Sequence, residues 1–335
     1  MMWYSLIKKI LFCFDPETSH TLSLDLLYYL EKLGLTHLLP NQINNPSTVM
    51  GLDFPNRVGL AAGLDKNGDY IDALATLGFG FLEIGSITPR PQPGNAKPRL
   101  FRLVNESAII NRMGFNNKGV DYLVERLKQT RYKGILGINI GKNRDTSLDN
   151  ALDDYLFVMK RVLPYASYIT INISSPNTEG LRDLQHGEYL RTLLRELKKE
   201  QAQYKTKYVP LLVKISPDLT SHEVSQMAEI FLAENIDGVI ATNTTTSRNG
   251  VEHSSFAAEL GGLSGKPLLL PSTMILQQFH QLLQQKIPII GCGGIASVDD
   301  AKEKIHAGAS LVQIYTGFIY QGPGLVRALV YHFGK

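Results

Sequence analysis

Ser175 stands in the run Asn172-Ile173-Ser174-Ser175-Pro176-Asn177, between two asparagines and with Pro176 stiffening its position. A serine hydroxyl there can move a proton if its anionic form is stabilised, because an unperturbed hydroxyl is a poor base at neutral pH. A hydrolase triad is a poor fit, since no G-x-S-x-G elbow surrounds Ser175 and no His–Asp pair is evident. Lys214 interrupts the apolar run Leu211-Leu212-Val213-Lys214-Ile215. Burying that charge is costly unless a cofactor or substrate compensates it. Two chemistries fit: a Schiff-base amine, or a cation stabilising negative charge on an electron-accepting ring.

Asparagines recur nearby in the pattern, at Asn111, Asn139, Asn172, Asn177 and Asn243. Each offers a donor and an acceptor, which together suit a flat substrate with amide-like edges, such as a pyrimidine. Singly, each is more often a turn former. The run Gly291-Cys292-Gly293-Gly294 reads as a phosphate cradle: glycines let backbone N–H groups approach an anion, and Ser297 caps the helix that follows. Gly261-Gly262-Leu263-Ser264-Gly265 is a second source of donors.

These residues sit at the ends of strand-like runs. The runs are Val58–Ala62, Gly80–Gly85, Ile135–Ile140, Tyr168–Ile173, Val209–Ile215, Gly238–Thr242, Ile287–Gly291 and Leu311–Tyr315. Most are continuously apolar, as parallel strands buried on both faces are. Helical stripes alternate with them: Val120, Leu123, Val124 and Leu127; Leu190, Leu193, Leu194 and Leu197; Val224, Met227, Ala228 and Phe231. A last helix starts near Leu325. Eight such units predict an α/β fold, a closed (β/α)8 TIM barrel, with an open doubly wound sheet as the alternative. The strand-to-helix connections Ser86–Lys118, Ser174–His186 and Asn243–Pro271 are long and read as structureless functional loops, all on the carboxyl-end face.

The chain has 335 residues, 44% of them hydrophobic, enough for a sizeable core. Its net charge is +3 and no basic block is interleaved with aromatics, so no nucleic-acid partner is expected. Two cysteines make no disulfide framework, and the scattered histidines predict no metal site. The first segment is distinct. Trp3–Phe14 is apolar but broken by Lys8 and Lys9, and Asp15-Pro16 reads as a helix cap followed by Pro at the first helical position. It lacks the order of a signal peptide, and no run approaches the ~18 apolar residues of a membrane span. Residues 1–45 are therefore expected to form two apolar helices outside a barrel of residues 46–335. These helices would serve as a plug at the barrel's bottom or flank, or as a platform for a membrane surface or lipid-like ligand.

Ala62-Gly63-Leu64-Asp65-Lys66, Asn111-Arg112-Met113-Gly114-Phe115-Asn116-Asn117, Asn172–Asn177, Ala241-Thr242-Asn243-Thr244-Thr245 and Gly291–Gly294 together resemble the dihydroorotate dehydrogenase family over nearly the whole chain. The resemblance implies FMN as cofactor and oxidation of dihydroorotate to orotate in pyrimidine synthesis. Serine rather than cysteine at position 175, with the N-terminal helices, resembles the quinone-reducing, membrane-associated members. It implies a peripheral membrane protein on the cytoplasmic face of the inner membrane, with a membrane quinone as acceptor. Carried over by position, FMN is held by Ala62, Gly63, Leu64, Asp65, Lys66, Ser86, Asn139, Asn172, Lys214, Thr242, Gly265, Gly294, Tyr315 and Thr316. The substrate is held by Lys66, Asn111, Arg112, Met113, Gly114, Phe115, Asn172, Asn177, Asn243 and Thr244. Ser175 is implied as the base, and His20, Arg102 and Tyr315 as residues near the quinone. Without the resemblance, a phosphate-sugar aldolase or isomerase using Lys214 covalently, or a barrel that only binds a ligand, fits the same pattern.

Overall fold

The computed structural model describes residues 2–38 and 44–334. It opens with α1 (Met2–Leu11) and α2 (Pro16–Lys32), followed by a hairpin of β1 (Ser47–Val49) and β2 (Leu52–Phe54). The barrel then runs β3 (Val58–Leu60), α3 (Ile71–Ala75) and β4 (Phe81–Ile87). An excursion of β5 (Leu100–Leu103) and β6 (Ala108–Asn111) precedes α4 (Val120–Gln129), β7 (Ile135–Ile140), α5 (Ala151–Val162) and β8 (Tyr168–Asn172). The chain continues through α6 (Gly187–Gln203), β9 (Leu211–Ile215), α7 (Ser221–Ala233) and β10 (Gly238–Ala241). After β11 (Gly262–Gly265) come α8 (Leu269–Leu283), β12 (Ile289–Cys292), α9 (Val298–His306), β13 (Leu311–Ile314), α10 (Thr316–Gln321) and α11 (Pro323–Phe333).

Eight parallel strands close in the order β3-β4-β7-β8-β9-β10-β12-β13, and β13 pairs back on β3 through Val312↔Val58 and Ile314↔Leu60. The expected (β/α)8 barrel is thus present, and the open-sheet alternative is not. Each barrel strand overlaps one of the expected runs, and most of these are continuously apolar because both faces are buried: one against the helices, one in the barrel lumen. The helical stripes face inward as expected. Leu190, Leu193, Leu194 and Leu197 are all buried, as are Val224, Met227, Ala228 and Phe231. Thr220 and Glu223 form a reciprocal capping box that starts α7.

Two expectations need correction. The connections Ser86–Lys118 and Asn243–Pro271 are not structureless. They hold β5, β6 and β11, which form an antiparallel sheet in the order β11-β6-β5, with Gly262↔Asn111 and Leu100↔Asn111 in register. A pairing between segments so distant in sequence leaves no local signal. The second correction concerns the plug. Val49 and Phe54 of the β1–β2 hairpin pack into the lower core with Phe81, Tyr168, Leu212 and Ile290. Phe54 and Phe81 meet edge to face at 5.1 Å. Met50 and Gly51, both at positive φ (56° and 73°), make its tight turn, and Met-Gly is not a usual signal for one. The hairpin, not the N-terminal helices, fills the barrel's bottom. Gly59 has no side chain because a β-carbon there would lie 2.3 Å from the Phe81 ring.

The helix α2 lies on the barrel's flank, the other expected place, against α3 and β5. Asp15 caps it as expected, accepting from the N–H groups of Glu17 and Thr18 at 3.0 Å, with Pro16 at its first position. Glu17 pairs with Arg99 at 2.6 Å, tying the start of α2 to β5. The Arg99 side chain is only 8% exposed, so this pair is shielded from water. Arg99→Met is expected to loosen α2 by roughly 1–3 kcal/mol without unfolding the barrel. Proteolysis within the N-terminal segment should quicken by about tenfold while the main melting transition stays put. Unchanged cleavage would show that apolar packing alone holds the helix.

Candidate active site

A cavity opens at the carboxyl ends of the barrel strands, and every wall is a different element. Ala62, Gly63 and Lys66 follow β3; Ser86 lies in β4; Asn172 ends β8; Lys214 lies in β9. Thr242, Asn243 and Thr244 follow β10, Gly293 and Gly294 follow β12, and Tyr315 and Thr316 follow β13. The β5–β6–β11 sheet adds Leu100, Ile109, Asn111, Ser264 and Gly265. Helix α2 adds Glu17 and His20.

The asparagines form two hydrogen-bonded groups, one around Asn172 and one of Asn111 with Asn177. Asn172 Nδ2 donates to Ser86 Oγ at 2.8 Å and to Asn139 Oδ1 at 3.1 Å. Asn243 Nδ2 donates to Asn172 Oδ1 at 3.3 Å and to Ser174 Oγ at 3.0 Å. Asn177 Nδ2 donates to Asn111 Oδ1 at 3.1 Å. Amide groups locked to one another in this way present fixed donor and acceptor edges to a planar ligand.

Ser175 is buried, and its Oγ accepts from the Asn177 N–H at 3.3 Å. Its loop is held from behind by Arg182. The guanidinium donates to the Ser174 carbonyl and the Thr244 carbonyl, each at 3.2 Å, and pairs with Asp218 at 2.9 Å. One side chain thus joins the serine loop to the loop after β10.

Lys214 is buried with no hydrogen-bond or ion-pair partner for its ammonium among the described residues. A buried cation in that state calls for negative charge from a ligand. The N–H of Gly294 likewise has no acceptor among the described residues, which suits an anion at that turn. Ser297 caps α9 as expected, accepting from Asp300 N. Half-buried Lys66 donates to the Gly63 carbonyl at 2.7 Å. Burial pulls its pKa down to about 8, against an opposing pull from Glu17. Burial and the charge of Lys66 take His20 down to about 4, so its ring is neutral at pH 7.

Of the residues singled out from the sequence, five stand away from the cavity walls. Leu64 belongs to the core. Asp65 turns inward, where its carboxylate accepts from the N–H groups of Asn67, Asp69 and Tyr70; burial raises its pKa to about 6. Asn139 lies one layer behind Ser86 and Asn172. Arg112 pairs with Glu259 and stacks on Phe101 at 4.6 Å. Arg102 stacks on Phe12 at 4.5 Å and donates to the carbonyls of Leu11 and Phe12 at 3.3 Å, so it anchors the end of α1. Each has a protein partner that satisfies it, which residue type alone does not disclose.

Sequence reasoning also missed residues. Glu83 is fully buried in β4, where it accepts from Asn139 Nδ2 at 2.9 Å, Tyr168 Oη at 3.0 Å and Gln313 Nε2 at 2.8 Å. It forms a polar floor beneath the asparagine web. A charge inside the apolar run Phe81-Leu82-Glu83-Ile84 is the same signal that marked Lys214. Glu17 and Gln313 line the cavity without a comparable signal. Among the described residues no cluster of His, Cys, Asp or Glu could hold a metal ion.

The sequence model of the dihydroorotate dehydrogenase family matches residues 46–333. A relative from Idiomarina loihiensis named dihydroorotate dehydrogenase (quinone) is 58% identical over 98% of this chain and 99% of its own. A protein of the same name from Cellvibrio japonicus is 57% identical over 99% of this chain and 100% of its own. Among solved structures, DHODH from Eimeria tenella in complex with ferulenol superposes with a TM-score of 0.86 at 39% identity, covering 95% of this chain and 90% of that one.

The unpaired state of Lys214 has a measurable consequence. Lys214→Met replaces an uncompensated buried cation with an apolar side chain of similar length. The ligand-free protein is expected to be at least as stable as the wild type in urea or thermal unfolding. A loss of stability would mean that the ammonium has a protein partner after all.

Proposed function

The chain belongs to the dihydroorotate dehydrogenase family, and on that footing we propose that Ser175 is the base of its reaction and that FMN occupies the deep part of the cavity. The enzyme oxidises dihydroorotate to orotate with a quinone as electron acceptor, a step of pyrimidine biosynthesis. The observation that carries the site assignment is the convergence of a buried serine, a web of fixed amides and an unpaired lysine on one cavity.

FMN, when bound, would supply the hydride-accepting chemistry at C6 of dihydroorotate and the route for the electrons to the quinone. Ala62, Gly63, Lys66, Ser86, Asn172, Lys214, Thr242, Gly265, Gly294, Tyr315 and Thr316 would hold it; all of them line the cavity. The unpaired Lys214 and the free N–H of Gly294 suit its ring and its phosphate respectively. Lys214 serves as a fixed charge and not as a Schiff-base amine. Asn111, Asn172, Asn177 and Asn243 read the amide edges of the substrate, with Lys66, Thr244 and the Met113–Phe115 backbone completing its seat. Ser175 removes the proton from C5 as hydride leaves C6, so that the C5–C6 double bond of orotate forms. The Asn177 N–H directed at Ser175 Oγ favours the negative oxygen this requires.

Residues 1–45 are the quinone- and membrane-associating segment, and residues 46–335 are the FMN-binding catalytic domain. Leu6, Ile10, Leu22, Leu26, Tyr29 and Leu33 on α1, α2 and the turn after α2 are exposed, and Lys9 lies among them, while Lys8 donates to the Tyr320 carbonyl at 3.1 Å. An apolar face with a basic neighbour suits the interface of an anionic bilayer. No described helix is long and apolar enough to cross a membrane. Peripheral attachment at the cytoplasmic face of the inner membrane follows from this reading. His20 and Tyr315 stand on the cavity wall near the quinone's approach; Arg102 acts by holding the end of α1.

The purified protein is expected to be yellow and to bleach anaerobically when dihydroorotate is added. Ser175→Ala should keep its flavin but bleach about 10²–10⁴-fold more slowly. In the wild type bleaching should quicken as pH rises, since the serine must lose its proton to act. Bleaching at the wild-type rate in Ser175→Ala would remove that residue from the chemistry. Deleting residues 1–40 should leave bleaching intact and abolish reoxidation by quinone. Full quinone turnover in the truncated protein would sink the assignment of that segment.

A further inference from the structure

Lys304, in the middle of α9, has no part in the reaction described above, yet it is the most completely buried lysine among the described residues. Among the described residues no carboxylate pairs with it. Its ammonium donates to the Ser272 hydroxyl and to the Leu269 carbonyl, the latter at 3.2 Å, both in the first turn of α8. Ser272 Oγ in turn lies 3.2 Å from the Gly293 carbonyl. Leu269 is the surface on which Gly294 rests: a β-carbon at Gly294 would sit 2.3 Å from Leu269 Cα. The ammonium therefore lies directly behind the Gly293–Gly294 turn, separated from the cavity by that backbone.

This location is electrostatically poor for the protein alone. The start of α8, a helix of 15 residues, carries the positive end of its dipole. The turn adds the Gly294 N–H, which has no acceptor among the described residues. The groups that face Lys304 are the Cys292 thiol from β12, the Ser272 hydroxyl and Leu269 carbonyl from α8, and Asp300 and Glu303 on its own helix. Burial outweighs the pull of Glu303 and Asp300 and brings its pKa down to about 7. Burial also keeps the Cys292 thiol protonated, so it supplies no counter-charge. The open side of the turn faces the cavity, where an anion can stand.

We propose that Lys304 is a positioning residue for the phosphate held at Gly293–Gly294, supplying its counter-charge from behind the turn and taking up a proton as that phosphate binds. The proposal rests on the FMN reading of the cavity. Its sign follows from linkage. With no anion at the turn, the ammonium loses its proton as pH rises through about 7. With the phosphate present, the charged form is favoured and the proton is kept to higher pH. Flavin affinity is therefore greatest below about pH 7 and falls above it, by at most tenfold per unit for one proton.

Dilution of the holoenzyme at a series of pH values, with fluorescence of the released flavin as readout, gives the dissociation constant. The wild type should weaken above about pH 7 by up to tenfold per unit and release close to one proton per flavin lost at about pH 8. Lys304→Met should bind flavin at least about tenfold more weakly at low pH and show a flatter profile above pH 7, with the remaining slope reporting Lys66. Lys304→Arg, whose charge does not titrate, should hold flavin tightly with the same flattened profile. A wild-type pH profile in either variant overturns the role of Lys304, and so does wild-type release of flavin without protons if neither variant folds. A wild-type protein that retains no flavin at any pH overturns the FMN reading and this role with it.

Discussion

The pairing of β13 with β3 is the constraint on which the rest of the molecule depends. Closing the sheet leaves no barrel strand with a free edge and turns eight strand ends into a ring. Ala62 and Gly63, near the start of the barrel, come beside Tyr315 and Thr316, near its end. Tyr315 Oη stands 3.5 Å from the Gly63 carbonyl across that seam. The lumen below is filled by large side chains, with the β1–β2 hairpin completing its lowest layer. Ligands are thereby confined to the upper end, and the polar floor of Glu83, Tyr168 and Gln313 marks where apolar packing stops.

The electrostatics of that upper end run against the stability of the ligand-free chain. Lys66, Lys214 and Lys304 are all partly or fully removed from water, and the last two have no carboxylate partner among the described residues. Glycine turns and a helix start add partial positive charge. Each feature is unfavourable by itself, and each is relieved by an anionic, planar ligand. A site organised in this way is shaped before the ligand arrives, so little rearrangement is required on binding. The asparagine web contributes the complementary part, fixed polar edges whose orientation is set by their mutual hydrogen bonds.

The N-terminal helices and the β5–β6–β11 sheet finish the cavity from outside the barrel. Glu17 and His20 reach the wall from α2, while Leu100, Ile109 and Asn111 reach it from the sheet. The Glu17–Arg99 pair and the Tyr4 hydroxyl, which donates to the Ile319 carbonyl at 2.6 Å, tie the helices to the barrel at two separate points. Exposed apolar side chains on α1 and α2 thus belong to the same elements that border the site. A molecule arriving from an apolar phase would meet them before the cavity.

The sequence by itself determined the barrel strands, their helices and most of the cavity wall. Apolar runs buried on both faces and stripes at helical spacing are local consequences of burial, and they survive without knowledge of the fold. Ser175, Lys214, Asn172 and the glycine turn were legible for a related reason: a polar or flexible residue beside an apolar run requires an explanation. Glu83 carried the same sign and was passed over, although it organises the floor. The tertiary structure alone decided three matters. It paired β6 with β5 and the distant β11, it gave the plug to a hairpin with an unusual turn, and it supplied Asp65, Arg102 and Arg112 with protein partners. It also placed Lys304 behind the glycine turn. Those outcomes depend on which groups meet across long separations in the chain, and such meetings are set by packing and hydrogen-bond satisfaction after closure, not by the residue types along the strand.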